Sequence, residues 1–237
     1  MLRVGSALPD PPFELKDGQL AGFDPAMMRA VAAWLGRRFE LVRYAGDDFE
    51  GIFAGLDDGT YDVVASGATI TDHRRTLATF CRPYVRSGQS LVVGVDRKPS
   101  IDSVDDLAGC TIGVQRGNTS EPVADDLARR GKVAAVRRYD YDDIDGALDD
   151  VAAGTIDAFM KLEPVMRWLV RERPALHVVQ TRITDELLAV AVARHDETLG
   201  PAIDGALDAL RADGTLTTLG DTWLGTSDAS SGTQVIT

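Results

Sequence analysis

Short apolar runs alternate along this chain with stretches whose apolar positions recur three and four residues apart. Leu2 to Ser6 reads as a strand. Asp24 then caps a helix with Pro25 at its first position, and Met28, Val31, Ala32 and Leu35 recur at helical spacing until Gly36 stops it. Phe39 to Tyr44 returns as a strand. Phe49, Ile52, Phe53 and Leu56 form the next helical face, residues 62–66 are again strand, and Thr71 opens a helix. A second series begins after Leu91 to Val95, with a short helix capped by Ser103 and a strand from Thr111 to Gln115. Gly117-Asn118-Thr119-Ser120 leads into a helix that ends near Gly131, and strand 133–138, helix 143–153 and strand 156–160 complete it. Such βαβα order predicts mostly parallel sheets covered by helices on both faces.

The second series repeats the first. Gly59-Thr60-Tyr61-Asp62 and Gly154-Thr155-Ile156-Asp157 each join a helix to an apolar strand. Two similar units favour two α/β lobes over one continuous sheet. Later, Leu187 to Val192 alternates as a strand, and Leu199, Ile203, Ala206, Leu207 and Leu210 share one helical face. Asp213-Gly214 breaks that helix, and Leu216, Leu219 and Trp223 make a last amphipathic turn. Thr226 to Thr237, rich in Ser, Thr, Gly and Asp, reads as disordered.

Composition narrows the function. The net charge of −12 over 237 residues argues against a nucleic-acid surface or a polybasic membrane patch. It leaves room for a small anionic ligand, because one local arginine outweighs a diffuse negative field. No apolar run approaches the roughly 20 residues that span a bilayer. Two cysteines, Cys81 and Cys110, are too few for a disulfide scaffold and are expected to be unpaired, and the scattered His73, His177 and His195 suggest no metal or other cofactor. Met1 runs almost directly into the first strand with no leader ahead of it, as in a cytoplasmic protein or a mature domain with an added start methionine.

One stretch points to chemistry. Strand 62–66 runs out into Ser66-Gly67-Ala68-Thr69, Thr71 stands at an N-cap position, and Arg74 falls in the first helical turn. Arginine normally sits late in a helix, where it complements the dipole. Early placement beside Thr69 and backbone amides suggests a bidentate partner for a carboxylate; the alternative is a surface arginine paired with a nearby Asp.

Taken in order, these residues resemble the solute-binding proteins of polar amino-acid ABC transporters. The marks are Pro12-Phe13, Gly22-Phe23-Asp24, Gly59-Thr60-Tyr61-Asp62, Thr69-Ile70-Thr71 with Arg74, and Phe80-Cys81-Arg82-Pro83-Tyr84. Leu107-Ala108-Gly109, Gly113 to Gly117, Asp157-Ala158, Asp213-Gly214 and Trp223-Leu224-Gly225 follow. The resemblance covers residues 3–225. It implies an α/β fold of two Rossmann-like lobes joined by two crossing strands, the type II periplasmic binding protein fold. Lobe one would be residues 1–92 plus 186–225, lobe two residues 93–185, and 226–237 the disordered tail. The crossing strands would lie near residues 91–95 and 183–189.

It also implies a monomer on the periplasmic or extracellular face of the membrane that captures an amino acid or related small carboxylate and hands it to a membrane permease. No catalysis, cofactor or nucleic acid would be involved. Cyclohexadienyl dehydratases resemble these proteins, so an enzyme using Glu163 with Lys161, or a receptor's sensing domain, are the alternatives. By position, Arg74 would hold the ligand carboxylate with Thr69 and the amide of Gly67. Phe49 would stack on the ligand or simply pack in the core, and Asp10 would lie near the ligand's far end or serve a turn. Asn118, Thr119 and Ser120 would close on the carboxylate or cap their helix.

One departure stands out. The family's aspartate for the ligand α-ammonium is replaced by Leu162, between Lys161 and Glu163. Either Glu163 takes that role, or the ligand lacks an α-ammonium, as a dicarboxylate or keto acid does, and Lys161 meets a second acidic group; the alternative is that Lys161 and Glu163 are solvated residues at a helix start.

Overall fold

The computed structural model describes residues 1–15, 21–97, 100–228 and 231–236, and its described chain divides into two compact units. Unit 1 comprises Met1–Gly46, Glu50–Ser87 and Glu186–Thr237; unit 2 comprises Asp47–Phe49 and Gly88–Asp185.

In unit 1, strand β1 (Leu2–Ala7) pairs in parallel with β2 (Phe39–Tyr44), Leu2 opposite Phe39, and with β3 (Val63–Val64), Val4 opposite Val63. The sheet continues through antiparallel β12 (Ala191–Val192) to β4 (Thr79–Phe80). It is therefore mixed, where the pattern predicts a mostly parallel one. The reason is the late return of the chain: β12 arrives from the far end of the sequence and fills the edge of β3 from the opposite direction. Helix α1 (Phe23–Trp34) covers this sheet with Met27, Met28 and Val31 fully buried, and packs against α7 (Leu199–Ala212) and α8 (Thr215–Leu219). At about 25 cal/mol per Å² of apolar area, each such side chain contributes roughly 1.5–3 kcal/mol. The predicted helical face at 49–56 forms as a tight 3₁₀ turn, Phe49–Phe53, followed by α2 (Ala54–Asp57). The helix expected after Thr71 is the single turn α3 (Arg74–Leu77).

In unit 2 the strand order is β10-β6-β9-β7-β8, formed by β6 (Gln89–Gly94), β7 (Thr111–Gln115), β8 (Ala135–Tyr139), β9 (Ala158–Leu162) and β10 (Leu176–Gln180). β7 pairs in parallel with β8 and β9, while β6 runs antiparallel between β9 and β10. Every residue of β6 and β9 is buried, as expected for central strands covered on both faces. Helices α4 (Ser120–Arg129), α5 (Ile144–Ala153) and α6 (Glu163–Val170) pack on this sheet. Leu91, Val93, Ile112, Val114, Ala158 and Met160 form a core layer with Leu107 and Ala124.

The repeated Gly-Thr-x-Asp segment has the same structural task in each unit. Asp62 Oδ2 accepts the amide of Arg3 at 2.8 Å, and Asp157 Oδ2 accepts the amide of Thr111 at 2.8 Å. Each aspartate amide in turn donates to the carbonyl of the same residue, at 2.9 and 3.0 Å. The aspartate thus stitches the strand after a helix to its neighbour.

Two boundaries differ from expectation. Asp47–Phe49 groups with unit 2, because Tyr141 donates to the Asp47 carbonyl at 2.9 Å and Phe49 to the Arg116 carbonyl at 3.3 Å. The segment expected to be disordered carries β13 (Gln234–Val235), which pairs with β5 (Val85–Ser87) beside β11 (Glu186–Leu188). Thr233 Oγ1 lies 2.9 Å from Ser87 Oγ, and the amide of Ile236 donates to the Tyr84 carbonyl at 2.9 Å. Residues 229, 230 and 237 of that segment lie outside the described residues.

Gly22 fixes the start of α1. Its φ of +128° lies where side chains rarely go, and a Cβ there would sit 2.2 Å from the Phe13 carbonyl oxygen. Neither backbone segment can move aside, since Phe23 and Asp24 donate to the carbonyls of Pro12 and Phe13 at 2.9 and 3.2 Å. Gly22→Ala is therefore expected to lower the stability of unit 1 by about 2–4 kcal/mol, read by urea denaturation. A loss below about 0.5 kcal/mol would show that this turn is dispensable.

Candidate functional site

In unit 1 the chemistry gathers around Arg74. Its side chain is 2% exposed, and Nη1 donates to the Thr69 carbonyl at 3.1 Å. Nε lies 3.5 Å from Glu50 Oε1, and the guanidinium sits 5.8 Å from the centre of the Phe53 ring. Thr71 Oγ1 accepts the amide of Arg74 at 3.0 Å, the capping contact that its sequence position suggested. A single turn carries little macrodipole, however, so the anion preference expected from a helix start is weaker than the sequence implied. Burial and the hydrogen bond to Thr69 hold the guanidinium instead.

The other expected unit 1 contacts change in detail. The Gly67 amide donates to Asp24 Oδ2 at 2.6 Å, so the donor expected to meet a ligand carboxylate is engaged inside the fold. The Thr69 hydroxyl donates to Glu186 Oε2 at 2.6 Å. Asp10 is buried and bridges Glu14 through both backbone groups, with N···O distances of 3.2 and 3.1 Å.

Around Asp10 lies a feature the sequence reading missed: Glu14 and Asp24 are fully buried close to it. Ser6 Oγ donates to Glu14 Oε1 at 2.6 Å, and the buried Tyr84 hydroxyl lies beside Asp24. Burial, followed by the charges on Asp24 and Asp10, holds the Glu14 carboxyl well above the usual carboxylate range. Burial pushes Asp24 up to about 7, against the Gly67 and Tyr84 hydrogen bonds that favour its charged form. Glu14 directly follows the buried Phe13, and Asp24 carried only a capping signal, so charge burial had no mark in the sequence pattern.

In unit 2, the Phe49 ring lies 5.4 Å from that of Tyr141, tilted by 40°, and is buried. Lys161 is 3% exposed; its Nζ donates to Gln115 Oε1 at 2.7 Å and stands 5.2 Å from the Tyr141 ring centre. Asn118 Nδ2 donates to the same Gln115 oxygen at 3.3 Å, and Thr119 Oγ1 accepts Gln89 Nε2 at 3.0 Å. Ser120 begins α4 and is fully buried. The structure therefore brings Phe49, Lys161 and Asn118 together around Gln115 and Tyr141, two residues not singled out beforehand. Glu163 differs: it is fully buried, and its Oε1 accepts Arg167 Nε at 2.7 Å one helical turn on. Lys161 thus donates to Gln115, and Glu163 accepts from Arg167.

Neither Cys81 in unit 1 nor Cys110 in unit 2 is in a disulfide. Among the described residues there is no metal-ligating cluster, and no helix is long and apolar enough to cross a membrane.

Residues 2–226 match the pattern of the bacterial extracellular solute-binding proteins, family 3. The chain belongs to this family. It is 31% identical over 227 residues to the L-cystine-binding protein TcyJ of Escherichia coli, covering 94% of this chain and 82% of that one. It is 30% identical to the probable amino-acid-binding protein YxeM of Bacillus subtilis, covering 93% and 83%. Among solved structures, an ancestral arginine-binding protein bound to arginine shares 34% identity at a TM-score of 0.86, covering 94% of this chain and 98% of that one. The ancestral amino acid-binding protein AncCDT-1, a precursor of cyclohexadienyl dehydratase, shares 32% at 0.83, covering 94% and 95%. The fold is thus that of the two-lobed amino-acid-binding members of the family.

The buried carboxyls make unit 1 of this family member sensitive to pH. Asp24 has a raised pKa in the folded state, so its stabilising effect is complete below about pH 4 and is lost as pH rises through about 7. Asp24→Asn removes that ionisation. Relative to the parent, the variant is expected to gain roughly 2 kcal/mol between pH 5 and pH 8, measured by denaturant unfolding at both values. A stability difference that does not change with pH would refute a raised Asp24.

Proposed function

We propose that this chain is the extracytoplasmic substrate-binding component of an ABC transporter, acting as a monomer that captures one α-amino acid or closely related small carboxylate and passes it to a membrane permease. Arg74 carries this reading. A guanidinium that is 2% exposed, with Nη1 on the Thr69 carbonyl and Nε 3.5 Å from Glu50 Oε1, is held in one orientation, and a planar fork fixed in this way suits a ligand carboxylate. The named ligands of relatives, arginine and cystine, are all α-carboxylates, which supports the same class. In this reading Arg74 of unit 1 takes the ligand carboxylate, and the unit 2 cluster of Phe49, Lys161 and Asn118 with Gln115 and Tyr141 is by itself a candidate surface for a ligand side chain. Asp10 limits the charge that side chain can bring, and Thr119 and Ser120 contribute the start of α4. In this reading the chain binds its ligand without chemistry, as its relatives' names as binding proteins support.

A thermal-shift screen of the twenty proteinogenic L-amino acids, L-cystine and small dicarboxylates tests the reading. A ligand at 100 times its dissociation constant adds about 2.7 kcal/mol, which moves the midpoint of a protein this size by about 5 °C or more. Arg74→Ala is expected to weaken the best ligand by about 2 kcal/mol or more, roughly 30-fold, with Arg74→Lys intermediate because it keeps the charge but loses the planar fork. Calorimetry showing parent affinity in Arg74→Ala would remove the anchor. A screen in which nothing binds would remove the function.

A further inference from the structure

We propose that Glu186 is the anionic partner of the ligand's α-ammonium, and that it makes this a site for α-amino acids rather than for keto acids or plain dicarboxylates. The inference rests on Arg74 being the carboxylate anchor, as proposed above. Leu162, at the end of β9, is apolar and 7% exposed and offers no charge to an ammonium. Glu163, the neighbouring alternative, has Oε1 on Arg167 Nε.

Unit 1 holds another carboxylate beside the anchor. Glu186 opens β11, is 6% exposed, and accepts the Thr69 hydroxyl at 2.6 Å. The two residues are held there by backbone: Thr69 bridges Leu188, Ile70 donates to the Leu187 carbonyl at 2.8 Å, and Glu186 pairs with Ser87 of β5. Thr69 is therefore the link between opposite charges, with its carbonyl on Arg74 Nη1 and its hydroxyl on Glu186.

That link decides the polarity of Thr69. A hydroxyl has one hydrogen and two lone pairs. Its hydrogen goes to Glu186, so what remains of the oxygen accepts. Thr69 cannot then donate to a ligand carboxylate, the role its sequence position suggested, but it can accept from an ammonium. A carboxylate and an ammonium on one carbon match a guanidinium and an acceptor pair joined through one residue. A ligand lacking the ammonium would bring its acid towards Glu186 with nothing to offset the repulsion.

The test is calorimetry on the full chain with the tightest-binding of the twenty proteinogenic L-amino acids and L-cystine, beside that compound's α-hydroxy analogue. The parent is expected to prefer the amino acid at least tenfold. Glu186→Gln keeps the shape and an acceptor but removes the charge, and is expected to weaken the amino acid at least tenfold while leaving the hydroxy analogue unchanged or tighter. Glu186→Asp, which keeps the charge, should preserve the preference even where overall affinity falls. Equal losses for both compounds in Glu186→Gln would make the residue structural and overturn the proposal, as would unchanged amino-acid binding or a parent that prefers keto acids or dicarboxylates. The failures are distinguishable: loss of binding in Arg74→Ala with no effect in Glu186→Gln overturns Glu186 alone, whereas a parent that binds none of these compounds overturns the carboxylate site itself.

Discussion

A hydrogen bond between the Gly67 amide and the buried Asp24 carboxyl, 2.6 Å long, organises the functional half of unit 1. Asp24 belongs to the first turn of α1, whose start is set by Gly22. Gly67 opens the segment that carries Thr69, Thr71 and Arg74. A side chain at Gly67, where φ is +54°, would meet the Phe13 ring at 2.9 Å, so the helix start, the Phe13 turn and the anchor segment are fitted to one another. An ammonium-and-carboxylate site needs its charges fixed in advance, and rigid connections of this kind reduce the ordering cost of binding.

Charge burial is the recurring constraint. Asp10, Glu14 and Asp24 lie together out of water in unit 1, Arg74 and Glu186 are joined through Thr69, and Lys161 is buried against Gln115 in unit 2. Groups of this kind are stable only with partners or with a changed protonation state. Glu14 and Asp24 take the second course, since burial holds both carboxyls above the usual carboxylate range. Arg74, Lys161 and Glu163 take the first, each against a named acceptor or ion partner.

Family membership limits the class of ligand, and chain-specific residues choose within it. Leu162, Lys161 and Glu186 are all buried, the first apolar and the other two charged. Leu162 by itself suggested a ligand without an ammonium. The hydrogen bond from Thr69 to Glu186 reverses that argument, because it turns a supposed carboxylate donor into an acceptor.

Local pattern determined the elements with strong periodicity. The helical spacing of Met28, Val31 and Ala32 and the apolar runs at 39–44 and 111–115 appear in the structure as α1, β2 and β7. The paired Gly-Thr-x-Asp segments correctly announced two similar units, since helix stop and strand start are set by neighbours in sequence. Tertiary structure decided what no local window contains. The direction of β12 in its sheet, the pairing of β13 with β5 and the grouping of Phe49 with unit 2 depend on segments far apart in the chain. The helix α6 was hidden because its start, Leu162-Glu163-Pro164, continues a buried strand without a pause. Glu186 lies at the edge of an alternating strand, where a period of two places it on the buried side with Leu188. Its meaning came only with Thr69 as its neighbour, 117 residues away in sequence, since a hydrogen bond's direction is fixed by both partners and the sequence displays one at a time.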